Sequence, residues 1–171
     1  NRRTVAYFAE YVSKVCQALG HLVDFWITIN EPGVYASQGY LEGRFPPFKK
    51  NIFAAWRVYR HLLQAHNAAS GVIHAYYPRA LVGFAQDIAW DEPRHRFHHW
   101  FLTDFSYWMT KKDFVAVNHY FYHGPQKTPV SDRGWKIYPP AMYEVLTDLK
   151  RFGLPIYITE NGIADSRDEQ R

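Results

Sequence analysis

At 171 residues and 47% hydrophobic composition the chain can bury a core, and no apolar run approaches the ~20 residues of a membrane span. The net charge of +4 comes from scattered cations, whose densest spots (Arg2-Arg3, Lys49-Lys50 and Lys111-Lys112) are too short for a nucleic-acid stripe. A single cysteine, Cys16, excludes an intramolecular disulfide framework and fits a reducing compartment, so a cytoplasmic location is expected.

From Thr4 to Leu19, Val5, Phe8, Val12, Val15 and Leu19 recur at steps of three and four. That spacing predicts a helix with Thr4 as N-cap, Gly20 as stop and Cys16 as a buried, inert thiol. A β-branched and aromatic run follows from Val23 to Ile29 and ends in Thr28-Ile29-Asn30-Glu31-Pro32. After Pro46-Pro47, Asn51 to Ile73 carries Ile52, Trp56, Tyr59 and Leu63 on one stripe, a second helix. Ala80 to Ala85 reads as the next strand. His95, His98 and His99 then fall at helical spacing beside Asp91 and Glu92. A solvated helix face is favoured there over a metal site, because no Cys or H-E-x-x-H arrangement accompanies them. Trp90, Trp100 and Trp108 suit either a sugar-lined cleft or helix packing. Phe114 to Tyr120 is a third strand, Pro140 to Phe152 a helix stopped by Gly153, and Ile156 to Thr159 a fourth strand.

Helix and strand alternate and the strands are almost continuously apolar, as in a parallel sheet buried on both faces. That arrangement is either an open doubly wound sheet or a (β/α)8 barrel, and the absence of a G-x-G-x-x-G or P-loop after any strand disfavours a nucleotide-binding open sheet. In such barrels the active site lies at the C-terminal strand ends. Those ends here are Asn30-Glu31, Asn118-His119-Tyr120 and Glu160-Asn161-Gly162. Two glutamates converging over one barrel mouth are what glycoside hydrolysis needs: a proton donor and a nucleophile across the scissile bond.

At these residues the sequence resembles the family 1 glycoside hydrolases. Trp26-Ile27-Thr28-Ile29-Asn30-Glu31-Pro32, followed by Gly39, Gly43 and Phe45-Pro46-Pro47, is similar to the family's acid/base region. Tyr157-Ile158-Thr159-Glu160-Asn161-Gly162 resembles its nucleophile motif, and Gly134-Trp135-x-Ile137-Tyr138-Pro139 its lead-in to the helix before that strand. Asn118-His119-Tyr120 resembles its Asn-Tyr-Tyr, with His119 departing at a position that strand alternation turns away from the cleft.

The resemblance implies a retaining β-glycosidase of β-glucosidase or β-galactosidase type, acting on a small-molecule β-glycoside. It implies no cofactor, no metal, and no nucleic-acid or membrane partner, and leaves the oligomeric state open. Glu31 would be the acid/base and Glu160 the nucleophile. Asn30 would bond the sugar 2-hydroxyl, Tyr120 would donate to Glu160, and Asn118 would bond in the same shell around Glu160. Only strands resembling the fourth to the seventh are present, and Thr103 to Phe114 and Tyr122 to Ser131 are shorter than the family's equivalents. Residues 1–171 are therefore expected to be an incomplete (β/α)8 catalytic domain. The alternative is a catalytically inactive sugar-binding relative, or an inactive fragment, on the same fold. Such relatives typically lose one carboxylate, and both remain here.

Overall fold

The computed structural model describes residues 2–92 and 103–169. In chain order the elements are helix α1 (Arg2–Leu19), strand β1 (Phe25–Asn30), the short helix α2 (Pro32–Ala36), helix α3 (Ile52–Tyr76), strands β2 (Leu81–Asp87) and β3 (Trp90–Asp91), helix α4 (Phe105–Met109), strands β4 (Val115–His119) and β5 (Tyr122–His123), helix α5 (Pro140–Leu149) and strand β6 (Ile156–Asn161). A parallel four-stranded sheet runs in the order β1-β2-β4-β6. The sequence-predicted strands are all present, shifted by a residue or two at their ends. Among the described residues no helix is long and apolar enough to cross a membrane.

Helix boundaries follow local chemistry. α1 begins at Arg2, so Thr4 lies inside the helix rather than capping it. Asn51 is the cap of α3, its side-chain oxygen accepting from the Ala54 amide at 2.9 Å and satisfying one of the first-turn N–H groups. After α5 the chain tightens into a 3-10 turn and stops at Gly153, whose φ of 64° suits a residue without a Cβ.

Two apolar clusters join the helices to the sheet. Val12 and Cys16 of α1 meet Ala69 and Ile73 of α3 and Val82 of β2. Cys16 is fully buried, and burial pushes its thiol pKa up, as expected for an unreactive core cysteine. On the other side Tyr59, Leu63, Phe84, Tyr107, Val115, Val117, Val145 and Leu149 fill the space among α3, α4, α5 and the central strands. Burying each such side chain contributes about 1.5–3 kcal/mol. Gly83 is needed in β2 because a Cβ there would sit 2.7 Å from the Phe114 ring.

The central strands β2 and β4 are buried along almost their whole length, while the outer strands are not. Phe25 and Ile27 of β1 and Tyr157 and Ile158 of β6 are exposed. A second, two-stranded parallel sheet of β3 with β5 continues the chain beyond the strand ends, and the sequence did not announce it.

His66, on the inner face of α3, ties the sheet to the helix layer. Its Nε2 donates to the Lys111 carbonyl at 2.6 Å, which leaves Nδ1 to accept from the Thr28 hydroxyl of β1 at 2.6 Å. Burial, the largest cause, lowers its pKa to about 4. An unfolded histidine near 6.5 binds a proton more readily than this one, so the neutral ring stabilises the fold fully above that pH. The contribution is lost as pH falls from about 6.5 toward 4. In urea unfolding, the stability difference between the intact protein and its His66→Gln variant should shrink by about 2 kcal/mol from pH 7 to pH 5. A difference that stays constant over that interval would show that His66 is not buried as the neutral ring.

Candidate active site

Both glutamates sit where a strand has just gained a residue. From Ile27 to Asn30 β1 advances three positions while β2 advances two, from Gly83 to Ala85. From Val117 to Asn118 β4 advances one while β6 advances two, from Ile158 to Glu160. Such irregularities re-aim the side chains that follow them. The Glu31 amide still bonds the Ala85 carbonyl at 2.8 Å, fixing it to β2. Glu31 itself has φ 46° and ψ 56°, a left-handed conformation that costs a non-glycine residue about 1–3 kcal/mol. Pro32, with its fixed φ, opens α2 immediately afterwards and turns the chain away from the cleft.

The five sequence-predicted site residues come together. Asn118 donates one amide hydrogen to Glu31 Oε1 at 2.8 Å and the other to Asn30 Oδ1 at 3.2 Å. Its own oxygen accepts from the Thr159 hydroxyl at 2.7 Å, one residue before Glu160. Tyr120 donates to Glu160 Oε2 at 2.9 Å. Burial, followed by the hydrogen bond to and charge of Glu160, pushes the Tyr120 phenol up to about 12, so it stays a donor.

The expectation for Asn118 needs correcting. It serves Glu31, not Glu160, and it is fully buried with both ends of its amide engaged, which leaves nothing to offer a sugar. Asn30, by contrast, is exposed, and only its oxygen is engaged by Asn118. His119 is buried and bonds the Ile88 carbonyl through Nδ1 at 2.7 Å, a packing role away from the carboxylates.

Sequence reasoning missed several participants. Asp87, at the end of β2, lies in register with Asn118, and its charge interacts with both Glu31 and Glu160. Nothing in an isolated aspartate could have announced this. Trp135 contacts Tyr120 at 6.0 Å and Phe121 at 4.3 Å between ring centroids, and it helps line a cavity of about 190 Å³ with Tyr120 and Asn161. Glu92 accepts from Trp90 Nε1 at 3.1 Å and from the Tyr122 hydroxyl at 2.8 Å, and Asp91 pairs with His123 at 2.8 Å. These acids are thus committed to the small sheet. His95, His98, His99 and Trp100 lie outside the described residues. Trp108 is exposed on α4 and Trp90 half-buried in the small sheet. Among the described residues no group of three His, Cys, Asp or Glu could hold a metal ion.

Parallel strands with crossover helices, with two hydrogen-bonded glutamates at their C-terminal ends, form a stretch of a (β/α)8 barrel. Known proteins agree. The profile described as Glycosyl hydrolase family 1 matches residues 1–103, and the chain belongs to that family. A β-galactosidase of Pyrococcus woesei is 27% identical over 98% of this chain and 48% of its own length. Beta-glucosidase A of Thermotoga maritima is 28% identical over 96% of this chain and 49% of its own. The structure of a Thermotoga maritima β-glucosidase in complex with deoxynojirimycin superposes with a TM-score of 0.86 at 27% identity, covering 97% of this chain and 49% of that one. The chain therefore spans about half the length of the relatives it matches. The alignment to the Pyrococcus woesei protein runs over 244 positions, more than the chain's own 171, so that relative carries residues inside the matched stretch that have no counterpart here.

If Thr159 holds Asn118, removing only its hydroxyl leaves the buried Asn118 oxygen without that donor. Thr159→Val should destabilise the intact protein by about 1–3 kcal/mol in urea unfolding. A loss within 0.5 kcal/mol, the usual range of about zero for an unimportant surface change, would mean the bridge carries no weight.

Proposed function

We propose that the protein carrying this chain is a retaining β-glycosidase, hydrolysing terminal β-linked sugars of glucoside or galactoside type through a covalent glycosyl-enzyme intermediate. The observation that carries the proposal is the hydrogen-bonded set at the strand ends: Glu31 held by Asn118 and Glu160 held by Tyr120. Residues 1–171 would form part of the catalytic domain.

In this reading Glu160 attacks the anomeric carbon while Glu31, bearing a proton, passes it to the departing glycosidic oxygen. Glu31 is then a carboxylate and removes a proton from the water that attacks the intermediate, freeing Glu160. Tyr120 holds the nucleophile in one rotamer through its hydrogen bond, and the electron pair of the Glu160 carboxylate forms the bond to the sugar. Asn30 would bond the 2-hydroxyl with its amide hydrogens, since only its oxygen is engaged by Asn118. Asn118 acts through Glu31 and is a positioning residue, not a sugar ligand. The names of the relatives, β-glucosidases and β-galactosidases, support the substrate class.

One observation favours a second reading for the chain alone. The apolar residues Phe25, Ile27, Tyr157 and Ile158 on the outer strands are exposed, and open edges pair and aggregate rather than support a rigid cleft. Under that reading the 171-residue chain by itself is an inactive fragment of the same fold, and the activity belongs to a closed barrel.

The two glutamates are separated by what each variant of the intact protein can still do. Glu160→Ala should abolish hydrolysis of every β-glycoside, because no covalent intermediate forms. Glu31→Ala should still react once with an activated aryl glycoside, whose leaving group departs without a proton, and then stall. Added azide needs no base and should restore turnover, giving a β-glycosyl azide. An α-azide, or wild-type rates from Glu160→Ala, would overturn the assignment of roles.

A further inference from the structure

The segment that leads from α2 into α3 presents apolar side chains that the fold does not use. Phe45, Phe48, Ile52 and Phe53 are 51, 63, 61 and 82% exposed. None of the three phenylalanine rings packs against another ring among the described residues. The backbone beneath them is nevertheless fixed. The Phe48 amide donates to the Phe45 carbonyl at 2.7 Å, that of Lys49 to Gly39 at 2.9 Å, and that of Asn51 to Tyr40 at 2.7 Å. Phe48 is held at φ 56°, a left-handed conformation that disfavours a residue with a Cβ and that glycine adopts freely. A large ring kept in water on such a backbone gives the fold nothing in return, so what gains from it lies outside the described residues.

The same segment carries unopposed positive charge. From Gly43 to Gln86 the chain has no aspartate or glutamate, and it has six lysines and arginines. Lys49 and Lys50 stand between Phe48 and Phe53, and Arg57 and Arg60 follow Phe53 at steps of four and three, on one face of α3. All four cations are exposed, and no acid pairs with them among the described residues. Arg44 is the exception, paired with Glu42 at 3.1 Å. The helix that this surface opens is already flanked: Val12 and Cys16 of α1 meet its Ala69 and Ile73, and Phe105 of α4 meets its Trp56 and Tyr59. The surface therefore belongs to a packed part of the helix layer and not to the exposed strands β1 and β6.

We propose that the segment from Arg44 to Arg60 docks on the surface of an anionic lipid bilayer, its rings entering the boundary between headgroups and acyl chains while its cations meet the headgroups. Cations alone would suit any polyanion. Exposed phenylalanines beside them need an apolar medium as well, and a bilayer interface offers apolar depth and negative charge together. Lipids also rearrange around an inserted side chain, so no preformed recess is required of the partner. This is peripheral attachment, which needs no membrane-spanning helix, and it is independent of the roles of Glu31 and Glu160.

The test uses the intact protein and sucrose-loaded vesicles that can be sedimented. Vesicles of equal parts phosphatidylglycerol and phosphatidylcholine should bind it at least about tenfold more tightly than phosphatidylcholine alone, and added salt should weaken that binding. Lys49→Gln/Lys50→Gln should weaken binding to the anionic vesicles by about 25-fold, from about fivefold for each cation. Phe48→Gly and Phe53→Ser should each weaken it by about tenfold. Phe48→Gly should meanwhile keep or raise the urea midpoint of the intact protein, because the left-handed backbone suits glycine. The proposal is overturned if neither vesicle binds the protein, if both bind it equally, or if the phenylalanine variants bind as wild type does, which would be adsorption of charge alone. It is equally overturned if those variants lower the sedimentation mass without lipid, as a contact with a second copy would. A fall in the urea midpoint for both phenylalanine variants would place the rest of the chain on this surface and overturn it too.

Discussion

Asn118 makes the cleft a single object, because its one buried amide bonds the ends of two other strands at once. It hydrogen-bonds Asn30 and Glu31 at the end of β1 and Thr159 in β6, and its Cα sits in register with Asp87 of β2. An amide presents two donors and an acceptor in a fixed plane, so satisfying all of them sets the relative position of the groups it bonds. The buried setting makes any half-made arrangement costly, since an unpaired amide there loses about 1–3 kcal/mol. Glu31 is held directly, and Glu160 through its neighbour Thr159 and through Tyr120.

The backbone yields on either side of that amide, which bonds Glu31 directly and Thr159, the neighbour of Glu160. β1 and β6 each take in one additional residue just before their carboxylate, and Glu31 is further forced into a left-handed conformation. These are departures from regular strand geometry at the functional end, while the opposite end of the sheet is ordinary, with Phe25, Phe114 and Tyr157 meeting edge to face. The strain is compensated by regular structure beneath: the β2–β4 pair with its buried apolar faces, the Glu31 amide bonded to β2, and His66 bracing Thr28 from the helix layer.

The same sheet is energetically unfinished. Its central strands are covered by helices on one side and by their neighbours in the plane, but β1 and β6 have no outer partner among the described residues and expose large apolar side chains. In a closed barrel these strands would pair with others and no edge would remain. The relatives are well over twice as long as this chain, which matches only about half of their length, so the proposed catalysis belongs to the intact protein and not to 171 residues alone.

The sequence alone determined the order of helices and strands, the parallel sheet and the two carboxylates, because each is written locally. Apolar periodicity marks α1, α3 and α5, β-branched runs mark the four main strands, and the Thr-x-Asn-Glu-Pro and Thr-Glu-Asn-Gly corners stand at strand ends. Element ends were less legible, since Thr4 and Asn51 look alike as caps and only one of them caps a helix. Tertiary structure decided which groups meet. It moved Asn118 from Glu160 to Glu31, added Thr159 as its anchor, and placed Asp87 beside both glutamates. It also paired Trp90-Asp91 with Tyr122-His123 in a sheet that two-residue strands are too short to advertise. The physical reason is common to all of these: hydrogen bonds and charge interactions act over a few ångströms in space between residues up to 88 positions apart in sequence, and a one-residue bulge redirects them without altering the pattern of apolar residues from which strands are read.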